Sequence, residues 1–231
     1  MIAFIAVGIL AVLAAGVGVF VIAKRLGGDA VAKDPKVLPP VAAPPTEPIP
    51  ARRSLHSALP ASCSLLTPAT IQAIYPGAAG DEVATSDRNL EGLRQFSRDC
   101  RWQFVTGDYI RFPMVQASGM SGDKDAEQTI TFAYRNKVAR LGPNVVMPRV
   151  DGKRQVPHLG SEATLIYGSG GEACRMARVL VRSRNVQFET AYGGCDRKPG
   201  QLLPTTPIAE ETAINGALMM ARDVLRQINS A

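Results

Sequence analysis

The sequence predicts an α+β domain, an antiparallel sheet packed by two to three helices, preceded by one transmembrane helix. Three observations predict it. Residues 1–23 contain no charged side chain and stop at Lys24-Arg25. Residues 26–62 carry eight prolines. From Cys63 onward, period-two and period-3.6 apolar patterns alternate along the chain, which marks strands interleaved with helices.

The charge divides evenly. The net charge is +6 over 231 residues. Residues 1–62 hold six basic and three acidic side chains, and residues 63–231 hold twenty and seventeen. The domain is therefore close to balanced, and the basic balance gives no reason to expect nucleic acid as a partner. Two His and one Trp leave little for metal or stacking chemistry. No metal and no cofactor is expected.

Residues 2–23 would span about 33 Å as a helix at about 1.5 Å per residue, close to a hydrocarbon core of about 30 Å. A secretory signal has a basic n-region and an apolar stretch of only about 7–15 residues. Residues 1–25 therefore read as a retained anchor, with the bilayer as partner through residues 1–23. No Cys precedes Cys63, which excludes a lipid-modified Cys beside the apolar run. Orientation is in conflict. Lys24, Arg25, Lys33 and Lys36 all follow the apolar run, so the positive-inside rule sends the rest of the chain to the cytoplasm. The cysteines point the other way. Residues 26–62 read as an extended, proline-rich spacer, with His56 solvent-exposed within it and the domain occupying residues 63–231.

The elements of the domain follow in order. Thr67-Pro68 is a helix start, an N-cap followed by Pro in the first turn, and that helix runs to about Tyr75. Residues 78–96 read as loop with a short strand. Cys100 to Phe104 alternates, with Trp102 and Phe104 facing inward. Thr106-Gly107-Asp108 turns into a strand from Tyr109 to Ala117, which Pro113 sends to an edge or a bulge. Ser118 to Lys124 reads as loop. Asp125 to Leu141 is the central helix, with Ala126, Ile130, Ala133, Tyr134, Val138 and Leu141 on one face. A loop and a strand from Ala163 to Tyr167 follow, then a turn at residues 168–171. Thr206-Pro207 caps the last helix, whose stripe is Ile214, Leu218, Ala221, Leu225 and Ile228.

Residues 174–195 read as a hairpin. With Arg184-Asn185 as its two-residue turn, paired positions sum to 369, so Val181 faces Phe188 and Ala177 faces Tyr192. Cys174 and Cys195 also sum to 369. They fall at a non-hydrogen-bonded site, where Cα atoms lie about 4.5 Å apart, within disulfide range. The four cysteines show no Cys-x-x-Cys spacing, which argues against zinc and thioredoxin-like chemistry. The even count offers two candidate pairs, 63–100 and 174–195, and an oxidising compartment. Four buried free thiols in a cytosolic domain is the alternative. Loop closure of that size is worth about 4 and 3 kcal/mol.

Cys63-Ser-Leu-Leu-Thr67-Pro before a helix, Cys100-Arg-Trp102 on a strand, and Leu159-Gly160-Ser-Glu162-Ala163 before a strand resemble a group of actinobacterial cell-envelope domains. That group comprises lipoproteins and single-pass membrane proteins of unknown function. The resemblance covers residues 63–228. It implies a PsbP-like α/β sandwich, an outward-facing domain and a Cys63–Cys100 disulfide, and it carries no catalytic residues. This chain departs from the lipoprotein members by lacking the lipidated Cys.

No Gly-x-Ser-x-Gly, Walker or His-Glu-x-x-His motif is present. Arg178 and Arg182 share a strand face, and with Arg175 and Arg184 they form a candidate patch for an anionic ligand. A plain charged outer face of an antiparallel sheet is the simpler reading of the same residues. The sequence thus leads to a binding, sensing or accessory module, tethered to the plasma membrane with its C-terminal domain outside and facing a cell-wall polymer or envelope protein. An extracytoplasmic hydrolase using His158, Glu162 and Ser161 or Ser169, or a cytoplasm-facing domain, are the alternatives.

Overall fold

The computed structural model describes residues 36–37, 55–75, 86–91, 94–122, 124–143, 147–169 and 174–230. The expected anchor and most of the proline-rich segment lie outside them. Among the described residues no helix is long and apolar enough to cross a membrane.

The strands are β1 (Lys36–Val37), β2 (Ser86–Glu91), β3 (Gln95–Arg101), β4 (Phe104–Val105), β5 (Tyr109–Arg111), β6 (Met114–Met120), β7 (Arg149–Gln155), β8 (Glu162–Ser169), β9 (Arg175–Ser183), β10 (Val186–Asp196) and β11 (Thr206–Pro207). The helices are α1 (Pro68–Ile74), α2 (Lys124–Ala139) and α3 (Glu210–Ser230), and a 3-10 turn spans Ser62–Leu65. The strands form one sheet in the order β1-β7-β8-β9-β10-β6-β3-β2, with β5 and β11 beside the end of β10 and β4 beside β5. Among the described residues only β1 runs parallel to its neighbour; the other pairs are antiparallel. The α+β class is as predicted.

Alternation sorts the side chains onto two faces. Ala177, Val179 and Val181 of β9, Phe188 and Tyr192 of β10, and Leu165 of β8 line one face. They pack against α3 through Ala217, Leu218, Ala221 and Val224. The predicted α3 stripe, Ile214, Leu218, Ala221, Leu225 and Ile228, is buried throughout. Helix α2 covers part of the other face, over β6, β9 and β10. It buries Ala126, Ile130 and Tyr134. Asp125 and Glu127 in its first turn and Lys137 in its last complement the helix dipole. A smaller apolar cluster of Met147, Val150, Ile166, Met176 and Ala191 closes one end of that face.

The hairpin register holds: Val181 pairs Phe188, Ala177 pairs Tyr192, and the series continues to Arg175 opposite Gly194. The Cys174–Cys195 disulfide is the next rung, with Cα atoms 5.1 Å apart. Cys63–Cys100 ties the 3-10 turn to β3 at 5.2 Å. The α1 cap is also as expected, Thr67 Oγ1 accepting from the Thr70 N–H.

Four expectations are corrected. The segment read as loop after α2 contains β7, a polar strand with a bulge between Val150 and Gly152. Pro113 marks neither an edge nor a bulge; it separates β5 from β6, and β6 continues to Met120 in the middle of the sheet. Thr206-Pro207 pairs with β10 rather than capping α3. His56 is buried, as is Leu59, so the folded unit begins before residue 63.

Candidate functional site

The face under α2 is polar because of which residues the register lines up. One row across the sheet reads Thr164, Leu180, Glu189, Gln116, Asp99. The next reads Glu162, Arg182, Gln187, Ser118, Ser97. Nine of these ten positions are polar, on a face whose reverse side is core. Such a face is stable only if its groups are paired or wet.

Helix α2 pairs the half on β8, β9 and β10. Glu189 is fully buried, with Arg178 Nε at 2.5 Å and Lys137 Nζ at 2.8 Å. Burial alone would raise its carboxyl, but Lys137 and Arg178 outweigh that and hold it below the ordinary carboxyl value. Arg182 donates to Glu162 at 3.0 Å and to Glu127 of α2 at 3.3 Å. Tyr134 bonds Thr164 at 3.0 Å, and burial raises its phenol.

The half on β10, β6 and β3 stays open as a groove beside α2. It has two contiguous lobes of about 290 and 480 Å3 that share Ser97, Ser118 and Gln187. Its floor is Ser97, Asp99, Gln116, Ser118 and Gln187, all half-buried. Gln116 donates to Asp99 at 2.8 Å, and Arg101 reaches the same carboxylate at 3.2 Å. Gln187 Nε2 donates to Ser118 Oγ at 3.3 Å, while the Gln187 side-chain carbonyl is buried without a hydrogen-bond partner. The wall is α2, through Ile130, Ala133, Tyr134 and Lys137.

The four arginines singled out from the sequence do not gather into one patch. Arg178 and Arg182 share the α2 face and are paired beneath it. Arg175 lies on the opposite face, over the Tyr167 ring and paired with Asp151. Arg184 sits at the hairpin turn with φ +56°, its carbonyl accepting from Arg182. The hydrolase constellation is not assembled either. His158 is exposed in the turn before β8, and Glu162 is held by Arg182 and Arg135. No hydrogen bond among the described residues joins His158, Ser161 and Glu162. Among the described residues no cluster of His, Cys, Asp and Glu is placed to hold a metal ion.

The groove was absent from the sequence reading. Its signal was local: Gln116 and Ser118 alternate with Val115, Ala117 and Gly119, and Ser97 and Asp99 alternate with Phe96, Arg98 and Cys100. Reading Ser118 onward as loop, and starting the earlier strand only at Cys100, cut both alternations short.

No protein-family model matches this chain, and comparison with characterised proteins and with solved structures finds no significant match.

Proposed function

We propose that this chain is a membrane-tethered, extracytoplasmic binding module of a bacterial cell envelope, with the groove beside α2 as its ligand surface. The short motifs over residues 63–228 resemble actinobacterial envelope domains, and the apolar residues 1–23 supply the tether. The observation that carries the reading is the pair of disulfides in a sheet that also keeps a recessed polar groove open. Structural disulfides belong to oxidising compartments. A concave surface with convergent polar groups is the general form of a ligand site. The partner on this reading is a cell-wall polymer or another envelope component.

Thiol accounting and topology test it together. Protein taken unreduced from its native source and denatured should bind no maleimide until reductant is added. Protease applied to intact cells should then degrade residues 60–231. Reaction of all four thiols before reduction, with the domain protected from protease, would sink the reading.

A further inference from the structure

We infer that the groove takes a neutral, hydroxyl-rich ligand, a short segment of an uncharged glycan; this rests on the groove being the ligand surface of the proposed module. The charge balance comes first. Among the described residues, Asp99 and Lys137 are the ionised side chains that line the groove from this face. Asp99 already receives Arg101 and Gln116, and Lys137 already meets Glu189. Arg98 contributes to the lining, but alternation turns its side chain to the opposite face. There it donates to the Pro60 and Leu59 carbonyls. Among the described residues, each ionised side chain lining the groove from this face therefore already has an oppositely charged partner.

What it offers instead are amides and hydroxyls: Gln116, Gln187, Ser97 and Ser118, each able to donate and accept. Ligand hydroxyls have the same dual character. The Gln187 side-chain carbonyl is buried without a hydrogen-bond partner, an unfavourable state for a polar group. Its terminal torsion is soft, so a small rotation presents it to a ligand hydroxyl. Ile130 and Ala133 on the α2 wall and Leu180 below supply apolar surface. A pyranose ring has this division, hydroxyls at its rim and C–H groups on its face.

A peptide strand fits less well. Peptide recognition on sheets uses a free strand edge. The groove floor is built on β10, β6 and β3, each of which has a strand bonded on both sides. Recognition here must come from side chains alone.

The test uses the full-length protein with both disulfides intact. Maltose and chitin oligomers of three to six sugars are the neutral probes, a sulfated trisaccharide is the anionic probe, and trialanine is the peptide probe. Binding is followed by NMR. A neutral oligomer should shift the side-chain amide resonances of Gln95, Gln116 and Gln187, and Gln187→Ala should weaken it about tenfold, equivalent to about 1.4 kcal/mol. Affinity that rises from three to six sugars marks a polymer crossing the groove; a plateau at three marks a short oligosaccharide. Ser97→Tyr, which fills the open side of the groove, should abolish binding even if Gln187→Ala perturbs folding. Neutral sugar binding that ignores both substitutions overturns the assignment, as does silence from every probe at millimolar concentration. Selective binding of the sulfated or peptide probe overturns the ligand class and leaves the groove as a binding surface. The thiol and protease results above report separately on the tethered, oxidised module.

Discussion

Glu189 carries the heaviest electrostatic demand of any single side chain on the α2 face. It is a carboxylate with no exposure, and two cations hold it ionised. Removing one partner of a buried pair leaves the other charge uncompensated, at about 3–5 kcal/mol. Lys137 is 39 % exposed and recovers part of that from water. Glu189→Gln should therefore cost about 3 kcal/mol at pH 7, read from urea midpoints. The pH dependence has a definite sign. The folded carboxyl lies below its ordinary value of 4.5, so its contribution is complete above that value and declines as pH falls through the folded one. The gap between wild type and variant should shrink on acidification below about pH 4.5. A gap that stays constant from pH 7 to pH 3 would remove the ion pair as its cause. The paired half of the face is thus held by buried charge beneath α2, while the open half has half-buried groups and one more exposed ion pair, Asp99 with Arg101.

Element by element, α3 is held close to the sheet by a residue with no side chain. A Cβ on Gly216 would lie 2.3 Å from the Tyr192 ring. Tyr192 in turn donates to the Ile74 carbonyl at the end of α1, so one aromatic side chain fixes both helices to the same face. Gly216→Ala gains helix propensity of about 1 kcal/mol but forces the helix off the ring, an overpacking cost of about 1–3 kcal/mol. A loss of about 1 kcal/mol is expected in chemical denaturation. A gain would mean that the ring has room to shift. The α3 stripe and the β9–β10 hairpin were legible because their periods are strong and their turn is two residues long. Local arithmetic then fixed the Cys174–Cys195 rung. Strands β6 and β7 were harder for physical reasons. In β6 the inward positions include Ala117 and Gly119, too small to signal a core. The latter is small because Phe96 lies across it. In β7 the sequence Arg149-Val-Asp-Gly-Lys-Arg-Gln155 has one large apolar residue and a bulge. Without β6 beside β10 the polar rows could not be assembled, so the groove was invisible even though Gln187 and Glu189 were on a correctly placed strand.

At the scale of the whole molecule, the folded unit reaches back past the first cysteine. Leu59 and His56 are buried, and the chain around them satisfies groups that have no other route to water. Asn185 at the hairpin turn is fully buried. It accepts from the His56 N–H at 2.9 Å and donates to the His56 carbonyl at 2.6 Å. Arg98, in the core side of β3, donates to the carbonyls of Pro60 and Leu59 at 3.0 and 3.3 Å. The segment therefore clasps two elements remote in sequence, β3 and the tip of the β9–β10 hairpin. It also places the end of the proline-rich stretch against the domain. A chain that starts at residue 63 keeps all four cysteines but removes the His56 bonds of Asn185, which keeps the Met120 carbonyl, and the Pro60 and Leu59 carbonyls from Arg98. Each loss costs about 1–3 kcal/mol, and exposing the cavity left by Leu59 adds about 2 kcal/mol. Against a net stability of about 5–15 kcal/mol for a domain, that is a large share. Oxidised proteins beginning at residues 55 and 63 should differ by at least about 3 kcal/mol in urea unfolding, with the longer one more stable. Equal midpoints would show that residues 55–62 are spacer rather than domain. If the difference is found, the proline-rich segment 26–62 contains less spacer than its proline count suggests, because its last eight residues belong to the fold.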